Sequence, residues 1–205
     1  MLRSEIDLIL ENTPRSKMSK KLVAGVGIND STFTTQAIIE GKSYKHRAYD
    51  AWREMLRRCY DVSIHFQYPQ YKNVKVCEEW LSFTSFYNWW KNNYKEGYQL
   101  DKDLLISNNK MYSPESCIYV PNWLNNFLSN CQNVNCSFIT SIQKYRVQIS
   151  VKGKQKFIGN FLDKQEAILA WRSAKLETLD EFYDVCQSIH PLLYQSLRNK
   201  IIESS

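Results

Sequence analysis

Residues 145–151 carry the pattern that most restricts the fold of this 205-residue chain. Apolar and polar residues alternate strictly there: Tyr145, Val147, Ile149 and Val151 on one side, and Arg146, Gln148 and Ser150 on the other. A period of two indicates a β-strand with one buried and one open face. The Val151-Lys-Gly-Lys154 turn and the run from Gln155 to Phe161 predict a hairpin.

Helical periodicity surrounds this hairpin on both sides. Asp163 is a suitable N-cap for a helix whose Ala167, Trp171 and Ala174 would pack on the sheet. Residues 3–11 and 45–60 have amphipathic patterns. Residues 77–94 carry an aromatic stripe that indicates core packing rather than base stacking, in a helix expected to end near Gly97. Residues 179–202 predict one more helix with a break at Pro191.

Between these regions, residues 100–130 read as strand, loop, strand and helix. Leu100 to Ile106 predicts the first strand, Cys117 to Val120 the second, and Pro121 is placed as the first residue of the helix. The overall expectation is an α+β fold with N-terminal helices, a central ββα unit, and a C-terminal three-stranded antiparallel sheet with a helix.

The placement of charge is more informative than its sum. The chain has 27 basic and 21 acidic residues, a net charge of +6. Residues 131–162 contain five basic side chains and no acidic one. A local positive field of this kind suits a polyanion such as nucleic acid, and a solvated face of lysines is the alternative interpretation.

Two classes of protein are disfavoured by the sequence. The apolar runs are too short to cross a bilayer and residues 1–11 lack a signal-peptide core, so we expect a soluble protein of the cytoplasm without a membrane partner. No C-x-x-C pair occurs among the six cysteines and the three histidines are scattered, so no structural zinc is expected and reduced thiols are favoured.

The strand-loop-strand-helix segment can bring one carboxylate beside one amide. Asp101 lies on the first predicted strand, and Asn125 lies one turn into the helix. Oxygen ligands of this kind suit one Mg²⁺ (or Mn²⁺) ion, which would stabilise the leaving oxygen of a phosphodiester. The alternative is a charged edge strand whose side chains are simply solvated.

Several motifs in fixed order resemble a family of phage proteins. They are Tyr49-Asp-Ala-Trp-Arg-Glu-Met-Leu-Arg-Arg-Cys-Tyr60, Val76-Cys-Glu-Glu-Trp80, Leu100-Asp-Lys-Asp103 and Tyr112-Ser-Pro-Glu-Ser-Cys117. This combination is similar to HNH homing-endonuclease-like proteins from about Gly25 onward. The resemblance implies a metal-dependent DNA endonuclease in which Asp101 and Asn125 bind the metal.

Two positions depart from the HNH pattern. Lys102 stands where the general-base histidine is expected, and Ser116 stands where the motif has its central asparagine. A protonated lysine does not readily activate water, although it could stabilise the phosphorane charge. On an extended strand Asp103 would share a face with Asp101, as a second ligand or substitute base, and His65 could swing in from its loop.

Residues 136–180 are similar to the APETALA-type DNA-binding domain, a three-stranded sheet laid in the major groove and backed by one helix. Tyr145-Arg-Val-Gln-Ile149, Ile158-Gly-Asn-Phe161 and Glu166-Ala-Ile-Leu-Ala-Trp171 carry the resemblance. It implies that five residues face double-stranded DNA: Arg146, Gln148, Lys152, Lys154 and Lys156. Arginine and glutamine can read base edges, whereas lysine mainly neutralises phosphate.

The sequence therefore predicts four regions: an N-terminal helix and basic linker (1–24), an HNH-like region (25–130, with the ββα unit at about 98–130), an APETALA-type domain (131–180) and a helical tail (181–205). The leading functional hypothesis is a phage-type DNA endonuclease, monomeric by the same resemblance. The alternatives are a catalytically inactive DNA-binding protein on the same scaffold and a host-factor-binding protein that uses exposed aromatics of residues 63–94.

Overall fold

The computed structural model describes residues 2–17, 21–129 and 136–204. Contacts divide the chain into two compact units. The first comprises Met1–Tyr94 with Lys110–Glu115, and the second comprises Lys95–Asn109 with Ser116–Ser205. The predicted α+β class is confirmed, because helices mix with small sheets and a three-stranded antiparallel sheet is followed by helices. The sequence boundary at residue 130 falls inside the second unit.

The first unit is built mainly from helices. Its helices and strands are α1 (Arg3–Glu11), β1 (Gln36–Ile39), β2 (Lys42–Lys45), α2 (Arg47–Tyr60), α3 (Val62–Gln67), β3 (Lys75–Val76), α4 (Phe83–Asn93) and β5 (Met111–Tyr112). Short 3-10 helices occupy Pro69–Tyr71 and Glu78–Leu81. Strands β1 and β2 pair antiparallel, and β3 pairs parallel with β5.

Aromatic side chains form the core of the first unit. The predicted faces of α2 and α4 are buried, with Trp52 and Phe83 in contact at a ring-centroid distance of 5.5 Å. A methyl group at Gly27 would lie 2.3 Å from a Leu56 side-chain carbon, so the chain needs glycine where it crosses this core. The aromatic stripe of residues 80–90 is therefore core, as the sequence indicates.

Two buried polar contacts attach α1 to α2. Arg47 Nε donates to Asp7 at 2.5 Å, and the Arg47 backbone N–H donates to the same carboxylate. The imidazole of His46 is fully buried, accepts the Ala48 N–H at the start of α2, and lies 2.9 Å from Glu11 Oε1. Because buried polar groups are stable only when paired, these contacts fix how the two helices meet.

The second unit contains the ββα segment, the C-terminal sheet and three further helices. Its elements are β4 (Tyr98–Asp101), β6 (Ile118–Pro121), α5 (Asn122–Ser129), β7 (Cys136–Ile139), β8 (Lys144–Val151), β9 (Lys154–Phe161), α6 (Lys164–Asp180), α7 (Tyr183–Ile189) and α8 (Leu193–Glu203). Strands β4 and β6 pair antiparallel, and the sheet order is β7-β8-β9.

One hydrophobic core joins these parts. Helix α6 packs on all three strands of the C-terminal sheet, and α8 packs on α6. Leu124 and Phe127 of α5 belong to the same buried cluster as Val147, Ile149 and Trp171. Burial of these apolar side chains provides the main stabilisation, so the ββα segment and the sheet form one packed body.

Several predicted boundaries are wrong for local reasons. Strand β4 ends at Asp101 rather than Ile106, because the Asp101 carboxylate binds the next backbone N–H groups and closes a turn. Pro121 is the last residue of β6, and α5 begins one residue later. The helix expected at 77–94 is a 3-10 turn followed by α4, which starts after the N-cap Ser82 and ends at Asn93.

In the described part of the chain, no helix combines the length and the apolar character needed to cross a membrane. Cys59, Cys117 and Cys186 are buried, and Cys77 and Cys136 are half-buried. Cys131 lies outside the described residues.

Candidate nucleic-acid interface and candidate metal site

The C-terminal sheet has one face covered by α6 and one open face. Residues paired across antiparallel strands project on the same side. Arg146 pairs with Ser137 on one neighbouring strand and with Asn160 on the other, and all three are exposed. Val147 and Ile149 point the other way and are buried. The open face therefore presents a row of hydrogen-bonding side chains across the sheet.

A β-bulge between β8 and β9 changes which residues reach the open face. Val147 pairs with Gly159, whereas Gln148 pairs with Phe157, so Ile158 is an extra residue in β9. An extra residue reverses the side-chain alternation beyond it. Phe157 and Gln155 consequently join Gln148 and Ser150 on the open face, and Ile158 packs against the core.

The same bulge moves the hairpin lysines away from Arg146 and Gln148. Lys156 pairs with the buried Ile149, and Lys154 pairs with Val151, so both project from the helix-covered side while remaining exposed. The Nζ atom of Lys152 lies 5.1 Å from the Trp123 ring centroid and therefore turns toward α5. Of the five predicted DNA-binding residues, the structure brings only Arg146 and Gln148 together on the open face.

The charge on the open face is not neutralised by the described residues. No described side chain forms a hydrogen bond or ion pair with the side chain of Arg146 or Gln148. The half-buried arginines of α2 differ in this respect, because Arg53 and Arg57 both lie within 3.2 Å of Glu54 Oε1. An arginine on an acid-free face retains its full attraction for a polyanion, since residues 136–162 contain no carboxylate.

Asp101 ends β4 and caps the turn that follows. Its Oδ1 accepts the backbone N–H groups of Asp103 at 2.6 Å and Leu104 at 2.8 Å. Burial raises the pKa of the Asp101 carboxyl, and the nearby Asp103 adds to this, while the two N–H groups and Lys200 act in the opposite direction. Among the described residues, none donates a hydrogen bond to the second oxygen, Oδ2.

Asn125 lies over the strand face that carries Asp101. Its Nδ2 atom donates to Gln99 Oε1 at 3.3 Å, and Gln99 precedes Asp101 by two residues on β4. Residues two apart on a strand share one face. Asp101 and Asn125 therefore lie on the same side of β4, with Asn125 hydrogen-bonded to Gln99 and not to Asp101. A carboxylate oxygen and an amide oxygen are ligand types that a hard cation accepts. No group of three or more His, Cys, Asp or Glu residues occurs at a metal-binding spacing in the described ranges.

Lys102 and Asp103 form an ion pair. Lys102 is buried, and its Nζ atom lies 2.5 Å from both carboxylate oxygens of Asp103. An ammonium group that donates in this way has no lone pair with which to accept a proton from water. Because the strand stops at Asp101, Asp103 does not continue its alternation, and the expected second ligand is instead part of this ion pair.

The C-terminal helix α8 holds the turn after Asp101, a contact that sequence patterns do not indicate. Ser196 Oγ donates to the Leu104 carbonyl at 2.5 Å, and Lys200 Nζ donates to the Asp103 carbonyl. Both donors lie ninety or more residues beyond their acceptors. The turn is therefore fixed by the tail of the chain as well as by Asp101.

The other predicted positions lie elsewhere. His65 is on α3 in the first unit, whereas Asp101 belongs to the second unit. A ring nitrogen of His65 lies 3.0 Å from the Arg58 carbonyl oxygen. Ser116 is buried beside Cys117. Of the aromatics considered for a protein partner, Phe66 and Tyr68 are exposed, and four are buried in the core: Trp80, Phe83, Phe86 and Trp90.

Comparisons with protein-family models, curated proteins and solved structures gave no match. The HNH-like and APETALA-like resemblances therefore stay interpretations of the motifs.

Proposed function

We propose that this protein binds double-stranded DNA through the open face of its C-terminal sheet. The observation that carries the proposal is the row of exposed donors around Arg146 and Gln148 on a sheet face without a carboxylate. Two neighbouring strands fit the major groove of B-DNA, where base edges display distinct donor and acceptor patterns.

Two side chains of the open face and two lysines at the edge of the sheet suggest separate tasks. Arg146 can donate two hydrogen bonds to guanine, and Gln148 can pair with adenine through its amide. Lys154 and Lys156 lie on β9, an edge strand of the sheet. Long lysine side chains at an edge suit the phosphates that flank a groove, which strengthens binding without reading sequence.

Fluorescence anisotropy with a labelled random-sequence 30-bp duplex tests the proposal. We expect Arg146→Ala combined with Gln148→Ala to weaken binding about tenfold or more. Lys154→Ala combined with Lys156→Ala should reduce the slope of log affinity against log salt by about two. Arg198→Ala is the matched control, because it removes one charge from an exposed position on α8 and should leave binding unchanged. Undetectable binding by the folded protein at low salt would refute the proposal.

A second candidate function is metal-dependent phosphodiester hydrolysis. The observation in its favour is that Asp101 and Asn125 lie over the same face of β4. Their oxygens would hold one Mg²⁺ or Mn²⁺ ion, and the ion would stabilise the leaving oxygen. Lys102 would contribute positive charge to this site. It would not act as a base, because its ammonium donates a hydrogen bond to Asp103.

Cleavage of supercoiled plasmid with Mg²⁺ or Mn²⁺ tests this candidate. Wild type should nick the plasmid, and Asp101→Ala or a chelator should abolish nicking. Asp184→Ala removes an exposed carboxylate from α7 and should have no effect. If wild type binds the plasmid and remains inert with both ions, the hydrolytic candidate is lost and the DNA-binding proposal stands.

A further inference from the structure

Phe157 is an exposed aromatic residue on the open face of the sheet, where every other described strand residue except Ile139 is polar or charged. Its side chain is 55% exposed, and it pairs with Gln148 across β8 and β9. Among the described strand residues that share this face, it is the only aromatic one; the others are Ser137, Ile139, Lys144, Arg146, Gln148, Ser150, Gln155 and Asn160. More than half of the ring is therefore in contact with water, which is unfavourable for an apolar group.

The bulge is the reason that Phe157 points outward. Phe161 and Gly159 pair with the core-facing Tyr145 and Val147, and uninterrupted alternation would also turn Phe157 toward the core. The extra residue Ile158 fills the core position instead. The backbone irregularity therefore exchanges a buried phenylalanine for an exposed one beside Gln148, and bulges commonly redirect a side chain in this way at functional surfaces.

We propose that Phe157 and Gln148 together recognise an A·T base pair in the major groove, which rests on the proposed DNA binding. The thymine C5-methyl is the apolar group on the base edges of that groove. The ring of Phe157 covers this methyl group, while the Gln148 amide pairs with N6 and N7 of adenine. Cross-strand neighbours have Cβ atoms about 5 Å apart, so the two side chains can approach the two halves of one base pair.

The composition of the face favours duplex DNA over a single strand. Proteins that bind single strands stack successive bases on several aromatic side chains. This face carries one aromatic residue, Phe157, and one aliphatic residue, Ile139, among amides, hydroxyls, a lysine and an arginine. A single ring between polar groups suits contact with one base edge.

Replacing thymine by uracil tests the methyl contact without altering base pairing. The tightest-binding fraction of a random 20-bp duplex pool is amplified once with dTTP and once with dUTP, and both products are titrated. We expect wild type to bind the thymine pool about fourfold more tightly than the uracil pool, because this is the gain in affinity expected from burying one methyl group. Phe157→Ala should bind both pools equally, and Phe157→Leu should retain most of the difference.

Phe138→Ala is the matched control, because Phe138 is an exposed aromatic on β7 that pairs with Tyr145 and so projects from the opposite face. It should retain the wild-type ratio. Equal binding of both pools by wild type, or an unchanged ratio in Phe157→Ala, would overturn the inference while leaving DNA binding intact. Preferential binding of the denatured pool, lost in Phe157→Ala, would overturn it in favour of base stacking. No duplex binding at all would remove the proposed function as well.

Discussion

The ammonium of Lys102 donates hydrogen bonds to both carboxylate oxygens of Asp103, each over 2.5 Å. The HNH-like resemblance of the motifs would place a general base at position 102. The positive charge is therefore fixed in place beside Asp101, where it cannot remove a proton from water.

Substituting Lys102 by histidine should create the missing proton acceptor. A neutral imidazole near the attacking water can accept its proton, and this raises the rate of hydrolysis about a hundredfold or more. We expect Lys102→His to nick supercoiled plasmid faster than wild type at pH 7.5 with Mg²⁺, in a gel assay. Lys102→Met removes the same charge without supplying a base and should give no gain. Equal rates for the two variants would contradict this role for position 102.

Asp101 has a structural role that can be separated from its charge. Asparagine keeps the side-chain oxygen that accepts the N–H groups of Asp103 and Leu104, whereas alanine loses both hydrogen bonds. In urea denaturation we expect the unfolding free energy of Asp101→Asn to lie within about 0.5 kcal/mol of the wild-type value. That of Asp101→Ala should be lower by about 1 to 2 kcal/mol. Both should abolish any metal-dependent cleavage. Equal destabilisation by the two substitutions would show that the turn does not depend on this oxygen.

Lys175 is a fully buried lysine that joins α6 to α5. Its Nζ atom donates to the Phe127 carbonyl near the end of α5 and lies 3.8 Å from the centroid of the Phe127 ring. Removing it leaves a cavity and deletes a buried hydrogen bond, so Lys175→Ala should lower the unfolding free energy by about 3 kcal/mol. Lys164→Ala, at an exposed position on the same helix, should change it by less than about 0.5 kcal/mol. Similar losses of unfolding free energy in the two variants would contradict a stabilising role for the contact between Lys175 and the Phe127 carbonyl.

Cys186 should make stability depend on pH in alkaline solution. Burial raises the pKa of its thiol from 9.0 to about 11. Between these values the unfolded chain releases the proton and the folded chain retains it, so the stabilisation present below pH 9 is lost as the pH rises toward 11. We expect this loss to reach roughly 2 kcal/mol and to be absent in Cys186→Ala. Denaturation curves at pH 8.5 and 10.5 measure it, and parallel losses in both proteins would exclude Cys186 as the cause.

Much of the fold follows from local patterns. Helix α1 has the predicted bounds, and Ile6 and Leu10 lie on its buried face, whereas Ile9 is exposed. The alternation of residues 145–151 correctly divides β8 into a buried and an open face. The turn at Lys152 and Gly153 also has positive φ at both residues, as a two-residue hairpin requires.

The features that decide the candidate sites depend on tertiary contacts. Ile158 is the extra residue of a β-bulge, and its side chain packs against the core next to Gly159. No repeating pattern in the sequence of β9 indicates this bulge. Ser196 and Lys200 reach the turn after Asp101 from the far end of the chain. Lys175 is buried although its residue type is usually exposed, since a carbonyl and two rings surround its amine. Sequence periodicity carries no information on such long-range partners.

The most direct test of the central claim is to map the DNA-binding surface by amide chemical shifts. Isotope-labelled protein is titrated with an unlabelled 20-bp duplex, and shift changes are assigned to residues. The account predicts the largest changes at Arg146, Gln148, Phe157 and Asn160, with α8 unaffected. Changes confined to α8 or to the first unit, at DNA concentrations that saturate binding, would contradict it.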